Sequence, residues 1–271
     1  MTSHFHTLTD SDQRALAPMY DPAFERDACG VGLVVDIHGR QSRDIVERAL
    51  AGLVNLTHRG GVGADARTGD GAGILTQLPD ELYSAELARL GAGAVGAGEY
   101  GVGMLFFPAG DGAADGARAV VKEVLTSRGL DVLAFRVVPV DPSVLGHIAA
   151  STQPVIEQVF VRKPSGESAD TFERTLMLAR RAIERGWVSA GIDGADVISL
   201  SGRTVIYKGF CLPEDLAAFY ADLRDPRFES AIALFHQRYS TNTLPTWRWR
   251  SRSGSLPTTA RSTPCRATGT G

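Results

Sequence analysis

The chain has 271 residues, of which 44% are hydrophobic and 22% charged, with a net charge of −3. That is enough material for a sizeable core and excludes a strongly basic nucleic-acid binder or a polybasic membrane-surface protein. Three scattered cysteines (Cys29, Cys211 and Cys265) exclude a disulfide framework and leave no Cys-x-x-Cys zinc pair. The six histidines show no metal-ligand spacing, and His4 and His6 lie in a polar start. Neither a signal-peptide pattern nor an apolar run of spanning length occurs, so a reducing cytoplasm without membrane or nucleic-acid partners is expected. Only three of the 28 basic residues are lysine, Lys122, Lys163 and Lys208. With 30 glycines, this suggests a GC-rich gene.

Residues 1 to 28 are polar, carry Pro18 and Pro22 and show no period, as in a frayed terminus or a short propeptide ending at Ala28. Next comes Asp27-Ala28-Cys29-Gly30-Val31-Gly32, opening an apolar run that predicts a buried strand over 31 to 37. A cysteine there is ordinarily a small buried hydrophobe. Ala28 leaves little bulk before the sulfur, however, and Gly30 and Gly32 allow another backbone or a ligand to approach it. These features point to cleavage between Ala28 and Cys29, with Cys29 as the nucleophile at the new terminus.

His38-Gly39 predicts a turn. Ser42 then caps a helix whose face carries Ile45, Val46, Ala49, Leu50, Leu53 and Val54, closed near His58-Arg59-Gly60-Gly61 by a left-handed glycine. The glycine-rich loop that follows contains Gly-Asp-Gly-Ala-Gly but lacks a P-loop's Lys-Ser/Thr ending and precedes a strand, Ile74 to Leu78. A loop around a small polar substrate fits it better than a nucleotide site. No element is assigned between 79 and 100. Strands follow at 101–107, 132–140 and 155–161, with helices at 112–127 and around Phe172 to Ile183. Val197 to Leu200 and Arg203 to Tyr207 are predicted to pair as a hairpin across Ser201-Gly202. A helix runs from Pro213 to Phe219, and a last apolar strand at 229–235 leads into His236-Gln237-Arg238-Tyr239-Ser240-Thr241-Asn242-Thr243. This order favours α+β layers over regular βαβ winding. Two stretches are dense in groups that fix a zwitterion, His58-Arg59-Gly60-Gly61 and Arg238 to Asn242. An arginine fork holds a carboxylate by two parallel bonds.

Several motifs carry a resemblance. Tyr20-Asp21-Pro22, Asp27 to Gly32, Leu56-Thr57-His58-Arg59-Gly60-Gly61, Thr68-Gly69-Asp70-Gly71-Ala72-Gly73, Val205-Ile206-Tyr207-Lys208-Gly209 and His236 to Pro245 stand in the order seen at the start of the glutamate synthase large subunit. The chain resembles that family over residues 17 to 247. The resemblance implies an N-terminal-nucleophile hydrolase fold, a four-layer αββα sandwich that is incomplete here. It divides the chain into a leader (1–28), a partial class II glutamine amidotransferase domain (29–247) and a basic tail outside the family (248–271). The implied substrate is L-glutamine, hydrolysed to glutamate and ammonia by Cys29, whose own α-amine is the base. Arg238 would clamp the substrate carboxylate, Ser240, Thr241 and Asn242 would offer donors, and His58, Arg59 and Gly60 would shape the pocket. The full-length family enzyme adds a synthase domain with FMN and an iron–sulfur cluster, fed by NADPH or ferredoxin, in some cases through a small NADPH-oxidising subunit. No cofactor is implied for the part present here. Another amidohydrolase of the same fold, or a non-catalytic pseudogene fragment, are the alternatives.

From Arg248 to Gly271 the chain is arginine-rich, free of acidic residues and aperiodic. A solvated tail and a nucleic-acid arm are two readings; a third fits better. The family continues after its tryptophan with Pro-Leu-Ala-Gln-Pro-Phe-Arg and later His-Asn-Gly-Glu-Ile-Asn-Thr. Written in GC-rich codons and read one base out of phase, these become the peptides at 248–254 and 258–264. A one-base frameshift after codon 247 is therefore expected, with a disordered tail, loss of the Asn-Gly oxyanion donors and an open sandwich face. Cys265 is then an accident of frame, and Cys211 a core residue.

Overall fold

The computed structural model describes residues 30–110, 112–237 and 246–247. Cys29, Arg238, Ser240, Thr241 and Asn242, the leader and the basic tail lie outside the described residues. Two four-stranded antiparallel sheets form the framework. The first contains β1 (Val31–Val35), β2 (Ala72–Gln77), β7 (Thr204–Gly209) and β8 (Ile232–Gln237), in the order β1-β8-β2-β7. The second contains β3 (Tyr100–Phe107), β4 (Val132–Val137), β5 (Val155–Arg162) and β6 (Asp196–Ser201), in the order β4-β5-β3-β6. Helices α1 (Arg43–Asn55), α2 (Asp80–Arg89), α3 (Ala113–Ser127), α4 (His147–Ser151), α5 (Ala169–Ser189) and α6 (Leu216–Phe219) complete the described part. The α+β layering expected from the sequence is thus present.

Periodicity explains the helices. Ile45, Val46, Ala49 and Leu53 are the buried residues of α1, and Phe235 of β8 lies against its Gly52. In α5, Phe172, Leu176, Ala179, Ile183 and Trp187 repeat at three- and four-residue spacing and are buried. They join α3 in one core over Leu105, Phe107, Val159, Val161 and Val197 of the second sheet. Trp187 adds a hydrogen bond from its indole to the Ala117 carbonyl, 3.0 Å. On the same sheet Val102, Met104, Phe106, Ile156, Phe160 and Ile198 belong to another core, shared with α1 and the first sheet. Trp247 closes that core edge-on to Phe106 and Phe210, its indole donating to the Ala149 carbonyl at 2.9 Å.

Four expectations change. The predicted hairpin does not form: β6 pairs with β3, and β7 pairs with β2 in the other sheet. At this crossing the Ser199 hydroxyl accepts from the Ile206 N–H at 3.3 Å, and Ser201 accepts from the N–H groups of Arg203 and Thr204. Side-chain oxygens thereby take donors that a hairpin would pair with carbonyls. The glycine at the end of α1 is also not left-handed. The helix stops at Asn55, a 3-10 turn covers Thr57–Arg59, and Gly60 is extended (φ −100°, ψ 161°). Ser42 occupies the N-cap position of α1 with no side-chain capping bond; its backbone bridges Ser230 instead. The first strand ends at Val35 and is outermost among the described strands of its sheet, with Leu33 and Val35 exposed.

A buried polar network ties the layers together. Arg136 of β4 donates to both carboxylate oxygens of Asp222 (2.7 and 2.8 Å), to Glu86 of α2 (2.7 Å) and to the Gln158 amide oxygen of β5 (2.9 Å). Tyr207 of β7 donates to Asp222 at 2.6 Å, and the Gln158 amide nitrogen donates to the hydroxyls of Tyr83 and Tyr207. Both sheets and α2 therefore meet at one ion pair.

Candidate active site

The candidate site lies where β1 begins, β8 ends and the turn after α1 arrives. The Gln237 N–H donates to the Gly30 carbonyl at 2.6 Å. The described neighbours of Cys29 and Arg238 are therefore direct partners across one ladder. The Arg59 Cβ stands 3.4 Å from where a Cβ on Gly30 would lie. Three sequence-distant segments thus converge on Gly30.

Glycine at 60 is required by this approach. A methyl group there would overlap the Gln237 side-chain amide, which packs over the loop and is 2% exposed. The loop is then pinned from its other side: Gly61 donates its N–H to the Asp70 carboxylate (2.8 Å), and Asp70 donates its N–H to the Gly61 carbonyl (3.1 Å). His58 is exposed, with Nδ1 donating to the Asn55 carbonyl at 3.1 Å. Arg59 is part-buried beside Gly30. Of the residues predicted for the site, the structure accordingly brings Arg59 and Gly60 to Gly30 and leaves the His58 ring at the surface.

The glycine-rich loop holds its shape through Asp65. Its carboxylate accepts from the Ile148 N–H (3.0 Å), the Thr68 hydroxyl (2.6 Å) and the N–H groups of Thr68 and Arg67. These bonds, the one from Ile148 foremost, hold its pKa far below the usual carboxylate range. Asp65 is thus a brace that fixes the loop to α4.

Two features escaped the sequence reading. One is Gln237, whose buried position under Gly60 depends on a contact between distant segments. The other is the crossing row His236–Gly73–Lys208 on one face of β8, β2 and β7. A side chain at 73 would overlap the His236 ring, so the glycine makes room for the imidazole to lean across β2. His236 is 8% exposed; burial first, and the Lys208 charge second, hold its pKa down at about 4. An unfolded histidine titrates near 6.5, so between about 6.5 and 4 the unfolded chain binds the extra proton. Stability should therefore fall by up to about 3 kcal/mol as the pH drops through that window. Urea unfolding at a series of pH values checks this, since His236→Asn should remove that part of the slope.

Two other places are set aside. A cleft of about 330 Å³ is lined by Glu86, Arg89, Arg136, Asp222, Asp225 and Arg227, but these charges pair with one another. Cys211 is fully buried, and burial pushes its thiol pKa up, which suits the core role expected of it and not a nucleophile.

Residues 29–252 match the family of glutamine amidotransferases class-II. The chain belongs to that family of enzymes. It is 42% identical over 224 residues to a chloroplastic ferredoxin-dependent glutamate synthase of Oryza sativa subsp. japonica, an alignment covering 82% of this chain and 14% of the relative. It is 41% identical over 234 residues to the glutamate synthase [NADPH] large chain of Bacillus subtilis (strain 168), covering 84% and 15% respectively. With the corresponding large chain of Azospirillum brasilense the identity is 40% over 232 residues, covering 85% and 15%. The chain thus spans about a seventh of the length of these relatives, and residues 29–252 are its class II glutamine amidotransferase domain. Among the described residues no helix is long and apolar enough to cross a membrane.

Proposed function

We propose that this chain carries the glutamine-hydrolysing centre of a glutamate synthase, with Cys29 as nucleophile. The observation that carries the reading is the meeting of Gly30, Gln237 and the Arg59-Gly60 turn, because it puts the flanks of Cys29 and Arg238 on one ladder pair. After cleavage between Ala28 and Cys29, the new α-amine (pKa about 8) takes the thiol proton (pKa about 8.5), a nearly balanced transfer. In the uncut chain that nitrogen is an amide and is no base. The thiolate adds to the side-chain carboxamide carbon of L-glutamine; the C–N bond then breaks, with the proton passed back to the leaving ammonia. Water hydrolyses the resulting thioester, giving glutamate and the free thiol. Arg238 clamps the substrate carboxylate, Ser240, Thr241 and Asn242 donate around it, and His58, Arg59 and Gly60 bound the pocket. In a full-length enzyme the ammonia would pass to a synthase domain using FMN and an iron–sulfur cluster, with ferredoxin or NADPH, through a small subunit in the latter case, as electron source. Those groups belong to segments beyond this chain.

An electrophilic glutamine analogue, such as the diazoketone, tests the nucleophile. Mass spectrometry should find one adduct, on Cys29, in chain that begins at Cys29, and none in chain that begins at Met1. Adducts on Cys211 or Cys265 instead would refute the assignment.

We propose further that the tail after Trp247 arises from a one-base frameshift. Support comes from the out-of-frame reading of the peptides at 248–254 and 258–264; the family match itself runs on past Trp247 to residue 252.

A further inference from the structure

Gln237 lies between the segments that meet at the candidate site, and it touches both. A Cβ added to Gly30 would stand 2.7 Å from the Gln237 carbonyl oxygen and 3.0 Å from its Cβ. A Cβ added to Gly60 would overlap the amide nitrogen and stand 3.0 Å from the amide carbon. Two glycines therefore face one side chain, Gly30 at its base and Gly60 at its tip. Gly60 has an extended backbone that any residue adopts, so what bars a larger residue there is the space the amide occupies. The turn is held elsewhere by its own backbone. Arg59 and Gly60 donate their N–H groups to the Leu56 and Thr57 carbonyls at 2.8 and 3.1 Å, and the exchange between Gly61 and Asp70 fixes the far side. The side toward β1 rests on the Gln237 side chain, which is buried. By contrast, the bond from the Gln237 N–H to the Gly30 carbonyl is main chain only and does not depend on residue type at 237.

We propose that Gln237 is a positioning residue of the glutaminase centre, a spacer whose length sets the gap between the Arg59-Gly60 turn and the start of β1. The inference rests on the glutaminase reading above, in which that turn bounds the glutamine pocket and Cys29 directly precedes Gly30. The side chain acts through these neighbours and needs no bond to the substrate. With Ala at 237 the turn loses its support on the side of β1 and shifts. A misplacement of about 1 Å in reacting geometry costs on the order of 100-fold in rate. Met at 237 keeps an unbranched chain of similar reach without the amide, so the spacing survives. A methyl group on Gly60 acts in the opposite sense, because it meets the amide and pushes the turn outward. The two changes together compensate, since the methyl enters space that the amide has left.

The measurement is the rate at which the diazoketone analogue of glutamine labels Cys29, set against the rate with iodoacetamide, in chain that begins at Cys29 and runs to Gly271. Gln237→Ala should slow labelling by the analogue about 100-fold. Labelling by iodoacetamide, which needs no pocket, should change little. Unfolding would instead open the buried Cys211 to iodoacetamide, so that thiol reports on the fold. Gln237→Met should recover most of the analogue's rate, and Gly60→Ala with Gln237→Ala should be labelled faster than Gly60→Ala alone. A parent chain that the analogue leaves unlabelled at Cys29 refutes the glutaminase reading, and this inference with it. A labelled parent whose rate Gln237→Ala does not change overturns the inference alone, as does Gln237→Met as slow as Gln237→Ala, or losses that simply add in the pair. Should Gln237→Ala fail to fold, Gly60→Ala labelled as fast as the parent overturns it equally.

Discussion

Asp222→Asn should cost about 3–5 kcal/mol of folding stability, read as a lower midpoint in urea unfolding. Asp222 and Arg136 are 3% and 4% exposed in their side chains and share two short bonds. The amide would leave the guanidinium charged and buried, with Glu86 as its one remaining ion-pair partner among the described residues. Tyr207 would meanwhile lose the carboxylate that accepts its hydroxyl proton. Single domains are stable by about 5–15 kcal/mol, so this one substitution would consume a large part of the total. Removing both charges, as in Arg136→Met with Asp222→Leu, should cost less than Asp222→Asn alone. The penalty arises mainly from an uncompensated charge and less from the pair's own attraction. A double variant as unstable as the sum of the singles would show that the network holds the layers by packing alone.

Glutaminase activity is expected to be undetectable in chain cut to begin at Cys29 and ending at Gly271, and to return in chain with the same start when the frame is restored after codon 247. Restoration should carry the polypeptide through His-Asn-Gly-Glu and beyond to the end of the domain. The motivation is the proposed loss of the Asn-Gly donors, to which the family resemblance assigns the oxyanion. Absence of one such donor ordinarily slows acyl transfer by about 100–1000-fold. Rate of ammonia release from L-glutamine is the measurement. Turnover by the chain as it stands would refute the idea, and the coding DNA around codon 247 gives a second check. Binding and chemistry should separate here, because the proposed clamp, Arg238, precedes the proposed shift, whereas the proposed oxyanion donors would be encoded after it.

The helices were legible because their signal is local. Ile45, Val46, Ala49 and Leu53 repeat with the helical turn, and that repeat alone states which face of α1 is buried. Helix α2 was not legible: three residues, Leu82, Tyr83 and Leu87, are its buried anchors, too few for a clear stripe. The hairpin expectation went wrong because two short apolar runs around Ser201-Gly202 specify strands without specifying partners. The choice was made by β3 and β2, each far away in sequence. At the site, the motif pointed to Arg59 and Gly60, but the stated reason for Gly60 was mistaken. The glycine is needed for the Gln237 side chain above it, not for a left-handed backbone.

By itself, then, the sequence determined the α+β class and the family, since residue type, order and period are properties of the chain. Tertiary structure alone decided which strands are neighbours, that Gln237 fills the space over Gly60, and that Arg136 finds Asp222. Each of these depends on segments far apart in the chain meeting in space, and local periodicity carries no record of such meetings.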